Sequence, residues 1–204
     1  MQRSNGLFAT PFSAAYWKCA AQEFRSLRVL VLTALFVALR IVVASLFIPV
    51  SADGSLRVYF SFFVNALGSL IYGPINGLMA GFASDIIGFF LHPTGAFFPG
   101  YVLTSMMGSF IYALFFYRAR ITWVRVALCK LSINLFVNLL MGSLWNMMLY
   151  NKGFYYYFAK SLFKNIVMLP LEVVVLVLFF RLMLPILGNS GLTPRQPSNK
   201  IPLI

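Results

Sequence analysis

Six long apolar segments constrain the fold of this chain more than any other feature. A membrane span needs about 20 mostly apolar residues, or about 17 when it is short. The candidates are Val29–Val50, Leu56–Tyr72, Ile75–Leu91, Ala96–Tyr117, Val124–Leu149 and Phe163–Leu187. Hydrophobic residues make up 61% of the 204 residues and charged residues only 10%, which is too apolar for a soluble domain of this length. The sequence therefore predicts an all-α fold, an integral membrane bundle of six transmembrane helices, with no room for a soluble catalytic domain.

The two ends of the chain are predicted to lie outside this bundle. Residues Ser13–Arg28 alternate aromatic, basic and apolar side chains, which is typical of an amphipathic helix at the membrane surface. No apolar core followed by a small-residue cleavage site precedes them, so we expect no secretory signal. We expect three parts: residues 1–28 with this N-terminal lead-in helix, a membrane domain over residues 29–187, and a cytoplasmic tail over residues 188–204.

The net charge of +12 reflects topology rather than nucleic-acid binding. Basic residues concentrate at the N-terminus, after the fourth span and near the C-terminus, which are places on one side of a six-span chain. Eleven lie there, against four on the other side. By the positive-inside rule, we expect both termini to be cytoplasmic. We expect the membrane to be the plasma membrane of a prokaryote. The eleven are Arg3, Lys18, Arg25, Arg28, Arg118, Arg120, Arg125, Lys130, Arg181, Arg195 and Lys200, and the four are Arg57, Lys152, Lys160 and Lys164.

Most catalytic chemistry is disfavoured by what the chain lacks. It has one histidine and four acidic residues, so paired acid–base chemistry is hard to assemble. No phosphate-binding loop and no metal-ligand spacing occur in the sequence, so we expect no metal and no cofactor. If transport is driven by ATP, the ATPase is another subunit.

Four ionisable residues lie at membrane depth, where they are costly and usually face a cavity or a partner. They are Arg40, Asp85, Lys164 and Glu172. Arg40 and Asp85 both lie deep in their spans, so we expect an internal ion pair between them; a direct role in ligand binding is the alternative.

The fifth span carries a polar stripe. Asn134, Asn138, Gly142 and Asn146 are spaced by four, with Trp145 beside them, and residues four apart share one helix face. Such amides either bond neighbouring helices or line a pocket, with Trp145 as a stacking surface.

The predicted outer face combines aromatic and basic residues. Aromatic runs follow spans one and five, and four cations surround one mouth: Arg57, Lys152, Lys160 and Lys164. Aromatic belts at membrane interfaces explain the rings without a ligand. The cations add a preference for an anionic aromatic small molecule.

Three strings together resemble a known family: LTALFVALRIVV with Ala34 and Ala38, then RVYFSFFVNALGSLIYGPINGLMAGFASDIIGFFLHPTGAFFPG, then LFKNIVMLPLEV. They resemble the substrate-binding S component of energy-coupling factor (ECF) vitamin transporters, and most closely the folate-type subfamily. The resemblance covers residues 13–187. It implies a six-helix protein that captures a vitamin, here folate, at the extracellular face and docks on a membrane scaffold subunit with two cytoplasmic ATPases.

The resemblance also implies roles for single residues. Ala34 and Ala38 would contact the scaffold. The vitamin pocket would include Arg57, Ser61, Phe62, Trp145, Lys164 and Asn165, and the residues themselves add Asn138, Asn146 and Glu172. The chain departs from the subfamily pattern at Gly142–Ser143, at Ser161 and at Glu172, where a glutamine is expected. An S component for another vitamin or precursor, a self-sufficient secondary transporter and a membrane-embedded enzyme are the alternatives, and no inverted repeat supports the second.

Overall fold

The fold is a bundle of long helices with one short pair of strands. The computed structural model describes residues 7–8, 10–11, 13–49, 57–93, 97–150, 153–194, 196 and 201–203. Within them the elements are α1 (Ala14–Phe24), α2 (Leu27–Ala44), β1 (Phe47–Pro49), β2 (Arg57–Tyr59), α3 (Ser61–Leu91), α4 (Pro99–Phe116), α5 (Trp123–Ser132), a π-helical segment (Ile133–Met141), α6 (Gly142–Tyr150) and α7 (Phe154–Asn189).

The first membrane helix ends earlier than predicted because the chain changes to extended backbone. α2 stops at Ala44, not at Val50, and β1 and β2 then pair antiparallel, with Phe47 opposite Tyr59. The predicted second span was also wrong at its start. It begins as a strand at Arg57, and its helix begins only at Ser61.

Helix α3 is two antiparallel helices joined at Gly73. Gly73 has φ 76° and ψ −176°, a conformation that in practice only glycine adopts, and Pro74 follows. Ser109 shows that the chain reverses there. Its Oγ donates to Asn65 Oδ1 (2.9 Å) on one side of the break. A Cβ built on Gly77, on the other side of the break, would lie 3.3 Å from the carbonyl oxygen of Ser109. On an unbroken helix, residues 65 and 77 would be about 18 Å apart.

The membrane segments therefore agree in number with the prediction. Five helices of the described chain are long and apolar enough to cross a membrane, and the reversal at Gly73 divides one of them into two. α5, the π-helical segment and α6 form one span, Trp123–Leu149. α7 starts at Phe154 rather than at Phe163, since the aromatic run expected in the outer loop is helical, and Pro170 does not interrupt it.

The distribution of buried and exposed side chains is typical of a membrane protein. Ser69, Asn76 and Ser109 are fully buried, whereas large apolar side chains such as Leu35 and Leu182 are more than 60% exposed. The main core joins α3, α4, α5 and α7, with the rings of Phe116 and Phe180 packed edge to face. In a bilayer the exposed apolar faces meet lipid, and small polar residues bond the helices together.

Both ends of the chain pack at one end of the bundle. The lead-in helix α1 contacts the end of α4, where Tyr16 OH donates to the carbonyl of Ala113 (3.0 Å). The C-terminal residues return to α5, because Trp123 N donates to the Pro202 carbonyl (3.1 Å) and Val124 N to that of Leu203 (3.2 Å). These carbonyls satisfy amides that the first turn of a helix leaves free. The three-part division of the chain stays a prediction.

Candidate functional site

Polar side chains gather where the π-helical segment meets α7, and Asn138 among them is exposed. The π-helical segment spans nine residues, Ile133–Met141. Such helices are rare, and they occur frequently at functional sites. It carries two of the predicted amides, Asn134 and Asn138, so the local backbone geometry changes where the polar stripe was predicted.

Asn138 and Asn165 are brought together, as a shared pocket requires. Asn138 Nδ2 lies 2.8 Å from Asn134 Oδ1 and 3.4 Å from Asn165 Oδ1. Ser161, one of the departures from the subfamily pattern, donates through Oγ to the Asn138 carbonyl (3.2 Å) and accepts from Asn165 Nδ2 (3.1 Å). The Asn134 Nδ2 donor is buried without a hydrogen-bond partner. We call Asn134, Asn138, Ser161 and Asn165 the amide cluster.

Trp145 is held against the start of α4 by residues that sequence reasoning missed. Its Nε1 donates to Thr104 Oγ1 (2.9 Å), and its ring packs edge to face on Phe98, with centroids 5.5 Å apart. Asn146 shares no described hydrogen bond with the amide cluster; its Nδ2 donates to the carbonyl of Gly142 on its own helix (2.8 Å). The predicted stripe therefore divides into an amide cluster and a separate Trp145 contact.

Glu172 is paired with a buried lysine. Lys130 is 2% exposed, and its Nζ lies 3.0 Å from Glu172 Oε2. The same nitrogen lies 3.4 Å from Tyr112 OH and 4.5 Å from the centroid of the Phe62 ring. Phe62, a predicted pocket residue, thus contacts the ion pair. Buried charges are tolerated when they are paired in this way.

The prediction that Lys130 belongs to the basic membrane border was wrong. Seven residues into the span, it lies about 10 Å along the helix from Trp123, with its charge turned into the bundle. The border count falls from eleven to ten, which leaves the charge asymmetry in place. The only sequence signal for this pairing is that Glu172, an acidic residue at membrane depth, needs a counter-ion; the signal does not say which cation supplies it.

Arg40 and Asp85 do not form the direct ion pair that was expected. Arg40 Nη1 donates to Ser109 Oγ (2.9 Å), and Asp85 Oδ1 accepts from Ser105 Oγ (2.9 Å). The two serines are one turn apart on α4, so both charged groups face that helix through neighbouring hydroxyls. Among the described residues, the ion pairs are Lys130 with Glu172 and Arg118 with Glu23.

The predicted basic mouth is described only in part. Lys160 and Lys164 on α7 are exposed, and Ser61 is half-buried at the start of α3. The side chain of Arg57 and the whole of Lys152 lie outside the described residues. The structure thus places the exposed lysines on the same helix as Ser161 and Asn165 of the amide cluster, and the predicted cationic mouth stays a prediction.

Ala34 and Ala38 lie on an exposed face of α2. The adjoining face of the helix, with Val29, Thr33 and Val37, is buried against the bundle. The two alanines are exposed in the described bundle. They leave a shallow surface of the kind that allows another helix to approach closely.

Known proteins with a similar sequence identify the family. The family model described as the substrate-specific component of ECF transporters matches residues 28–180. Folate transporter FolT of Clostridium novyi is 33% identical over 121 residues, which cover 59% of this chain and 70% of that protein. Folate transporter FolT of Leuconostoc mesenteroides subsp. mesenteroides is 30% identical over 152 residues, or 72% of this chain and 80% of that protein.

A solved structure extends the similarity to three dimensions. The crystal structure of FolT bound with folic acid has a TM-score of 0.63 and 25% sequence identity to this chain, and the match covers 72% of this chain and 87% of the other. The family consists of substrate-binding components of transporters, not of enzymes. Because the family model spans most of the sequence, the chain belongs to the family of substrate-specific components of ECF transporters.

Proposed function

We propose that this chain binds folate at one face of the membrane and delivers it by docking on a membrane scaffold with two ATPases. The observation that carries the proposal is its likeness to a FolT structure bound with folic acid. The two curated relatives that share its helices are named folate transporters as well. Capture at the extracellular face and cytoplasmic termini are part of the proposal.

The chemistry of the amide cluster and of the nearby residues of α7 suits a flat heterocycle with an anionic tail. A pterin edge presents donors and acceptors, and the amides of Asn138 and Asn165 offer both. Trp145, which contacts Thr104 and Phe98, adds an aromatic surface later in the same span. The glutamate tail of folate carries negative charges that the exposed Lys164 and Lys160 can attract. Another vitamin would use the ring contacts without needing the lysines.

A direct binding experiment tests the ligand. Labelled folate, thiamine, riboflavin and pantothenate are each offered to the purified chain without scaffold or ATPases. We expect saturable binding of folate alone, because the cargo site is proposed to lie within this subunit. Binding of a different vitamin would redirect the proposal to that vitamin, and binding of none would contradict it.

A matched pair of variants tests the site. Asn138→Ala removes hydrogen bonds to the amide cluster, and we expect folate affinity to fall about tenfold, which is the effect of losing about 1.4 kcal/mol. Asn146→Ala is the control, because Asn146 bonds only its own helix backbone in the described structure. Equal losses in both variants would contradict the assignment of the pocket to the amide cluster.

Docking is tested at the exposed alanines. Ala34→Trp or Ala38→Trp should abolish uptake in cells that supply the scaffold and the ATPases, while folate binding to the purified chain stays unchanged. Leu35→Trp is the control, since Leu35 is exposed on the same helix but is not one of the two small residues. Loss of folate binding in the alanine variants would mean that the alanines support the bundle itself.

A further inference from the structure

A cavity of about 540 Å³ lies at the end of the bundle that carries both chain termini. Its walls come from the end of α1, the start of α2, Ile71 of α3 near the reversal at Gly73, Arg118 after α4, and the end of α7 with the turn that follows it. These are helix ends, and in a membrane protein they mark the boundary between hydrocarbon and water. The amide cluster and Trp145 contribute nothing to its lining. The volume lies within the range of about 300–1,000 Å³ that small-molecule sites occupy.

Among the described residues that line the cavity, the charged ones are Glu23, Arg28 and Arg118. Arg118 is 8% exposed, and its Nη2 donates to Glu23 Oε1 (2.7 Å). Burial disfavours the charge of Arg118, but the Glu23 carboxylate and its neighbours raise the pKa of Arg118 overall. Arg28 is exposed in the first turn of α2 and has no partner among the described residues. A guanidinium in this position matches a phosphate group.

A second observation indicates a polar ligand. Thr193 lines the cavity and is 9% exposed, and its hydroxyl has no hydrogen-bond partner. A buried hydroxyl without a partner costs about 1–3 kcal/mol. Asn189 and the Glu23 carboxylate face the same space. A ligand with a phosphate and hydroxyl groups would meet both the cation and these polar groups.

The stripe of α2 that runs from the cavity is apolar and exposed. Leu32 lines the cavity wall one turn after Arg28, and Leu35 and Leu39 follow on the same side of the helix and are 62% and 45% exposed. Residues spaced by three and four share one helix face. A cation at the boundary followed by leucines in the hydrocarbon matches a phospholipid, whose phosphate lies at the interface and whose acyl chain runs inward.

We propose that this cavity binds the head group of one phosphatidylglycerol molecule, with its phosphate on Arg28, its glycerol hydroxyls near Glu23 and Thr193, and an acyl chain along Leu32, Leu35 and Leu39. The glycerol hydroxyls distinguish this lipid from one with a choline head group, which has no donor for the Glu23 carboxylate. The site is separate from the proposed folate pocket, so either assignment can fail without the other.

Native mass spectrometry of the full chain, extracted from vesicles of equal parts phosphatidylglycerol and phosphatidylcholine, tests the proposal. We expect one retained phosphatidylglycerol per chain in the unmodified protein. Arg28→Gln should weaken retention about tenfold, the usual effect of one charge-assisted hydrogen bond. Arg25→Gln is the matched control, because Arg25 is exposed at the same end and is absent from the cavity lining.

Two further arms distinguish the sources of the phosphate. Glycerol 3-phosphate and inorganic phosphate, added at millimolar concentration, should not displace the lipid, because they lack the acyl chain. Displacement by either would assign the cavity to a soluble phosphate compound and overturn the lipid proposal. Equal weakening by Arg28→Gln and Arg25→Gln, or equal retention of phosphatidylcholine, would also overturn it.

A hydroxyl-free variant tests the polar wall. Thr193→Val keeps the shape of the side chain, so the ligand-free protein should unfold at the same or a higher temperature. Retention of phosphatidylglycerol should fall at least threefold. Unchanged retention would exclude Thr193 from the site and contradict the proposed position of the head group.

Discussion

Replacing Lys130 by methionine tests the buried ion pair most directly. Methionine keeps the length of the lysine stem but removes its charge, so Glu172 keeps its carboxylate without a counter-ion. The environment gives little compensation, because the side chains of Lys130 and Glu172 are only 3% and 20% exposed. The substitution also removes the cation from the face of the Phe62 ring.

The expected loss is large for a single substitution. Removing one partner of a buried ion pair costs about 3–5 kcal/mol, and the partial exposure of Glu172 favours the lower end. A loss of about 3 kcal/mol lowers the melting temperature of a chain of this size by about 6–12 °C. The double variant Lys130→Met with Glu172→Gln removes both charges, and we expect it to recover most of the loss.

Thermal unfolding in detergent, without folate, measures both effects in a double-mutant cycle. The cycle isolates the coupling between the two side chains, and a coupling of 2 kcal/mol or more, in the range of roughly 0.5–3 kcal/mol seen for contacting residues, is expected. Additive losses would mean that each charge is stabilised by other groups. A shift of less than about 2 °C in the single variant would mean that Lys130 reaches water, and the placement of its charge inside the bundle would be wrong.

Two further predictions concern the backbone. Gly73→Ala should destabilise the bundle by about 1–3 kcal/mol, because alanine is strained in this backbone conformation and its Cβ would lie 3.0 Å from the Tyr117 ring. Gly88→Ala, where a Cβ would meet nothing within 4 Å, should leave the melting temperature unchanged or raise it, and the reverse order would contradict the reversal at Gly73. Deleting residues 201–204 should increase hydrogen exchange at the amide of Trp123 at least tenfold, since its acceptor is lost. Unchanged exchange would mean that the C-terminal contact is not maintained in solution.

The number of spans was predictable because hydrophobic length is a local property. The reversal at Tyr72–Gly73–Pro74 was also predictable, since glycine supplies the conformation and proline ends a helix. The start of the second span was not, because residues 57–59 lead directly into an apolar run, and only their pairing with β1 makes them a strand. Hydropathy measures transfer into lipid and contains no information about strand pairing.

The candidate site was predictable in residue type but less so in pairing. Asn138 and Trp145 were identified by their polarity or ring in an apolar span, and Asn165 was identified through the resemblance to the subfamily. Lys130 was assigned to the border because charge counting treats every lysine near a span end as a solvent residue. The lysine side chain is long enough for its ammonium group to point into the bundle. It does so because Glu172, on another helix, lies within ion-pair distance. The spacing of charges within one helix cannot reveal such a partner.

Helix α4 connects these separate observations. Thr104, Ser105, Ser109 and Tyr112 lie along it, and their hydroxyls bond Trp145, Asp85, Arg40 and Lys130. These partners come from α6, from the second half of α3, from α2 and from α5, so four segments are positioned against one helix. Hydrogen bonds between helices replace the hydrophobic effect that is missing in lipid. The alanine face of α2 and the Trp145 contact therefore share α4 as a common support, although they are on different helices.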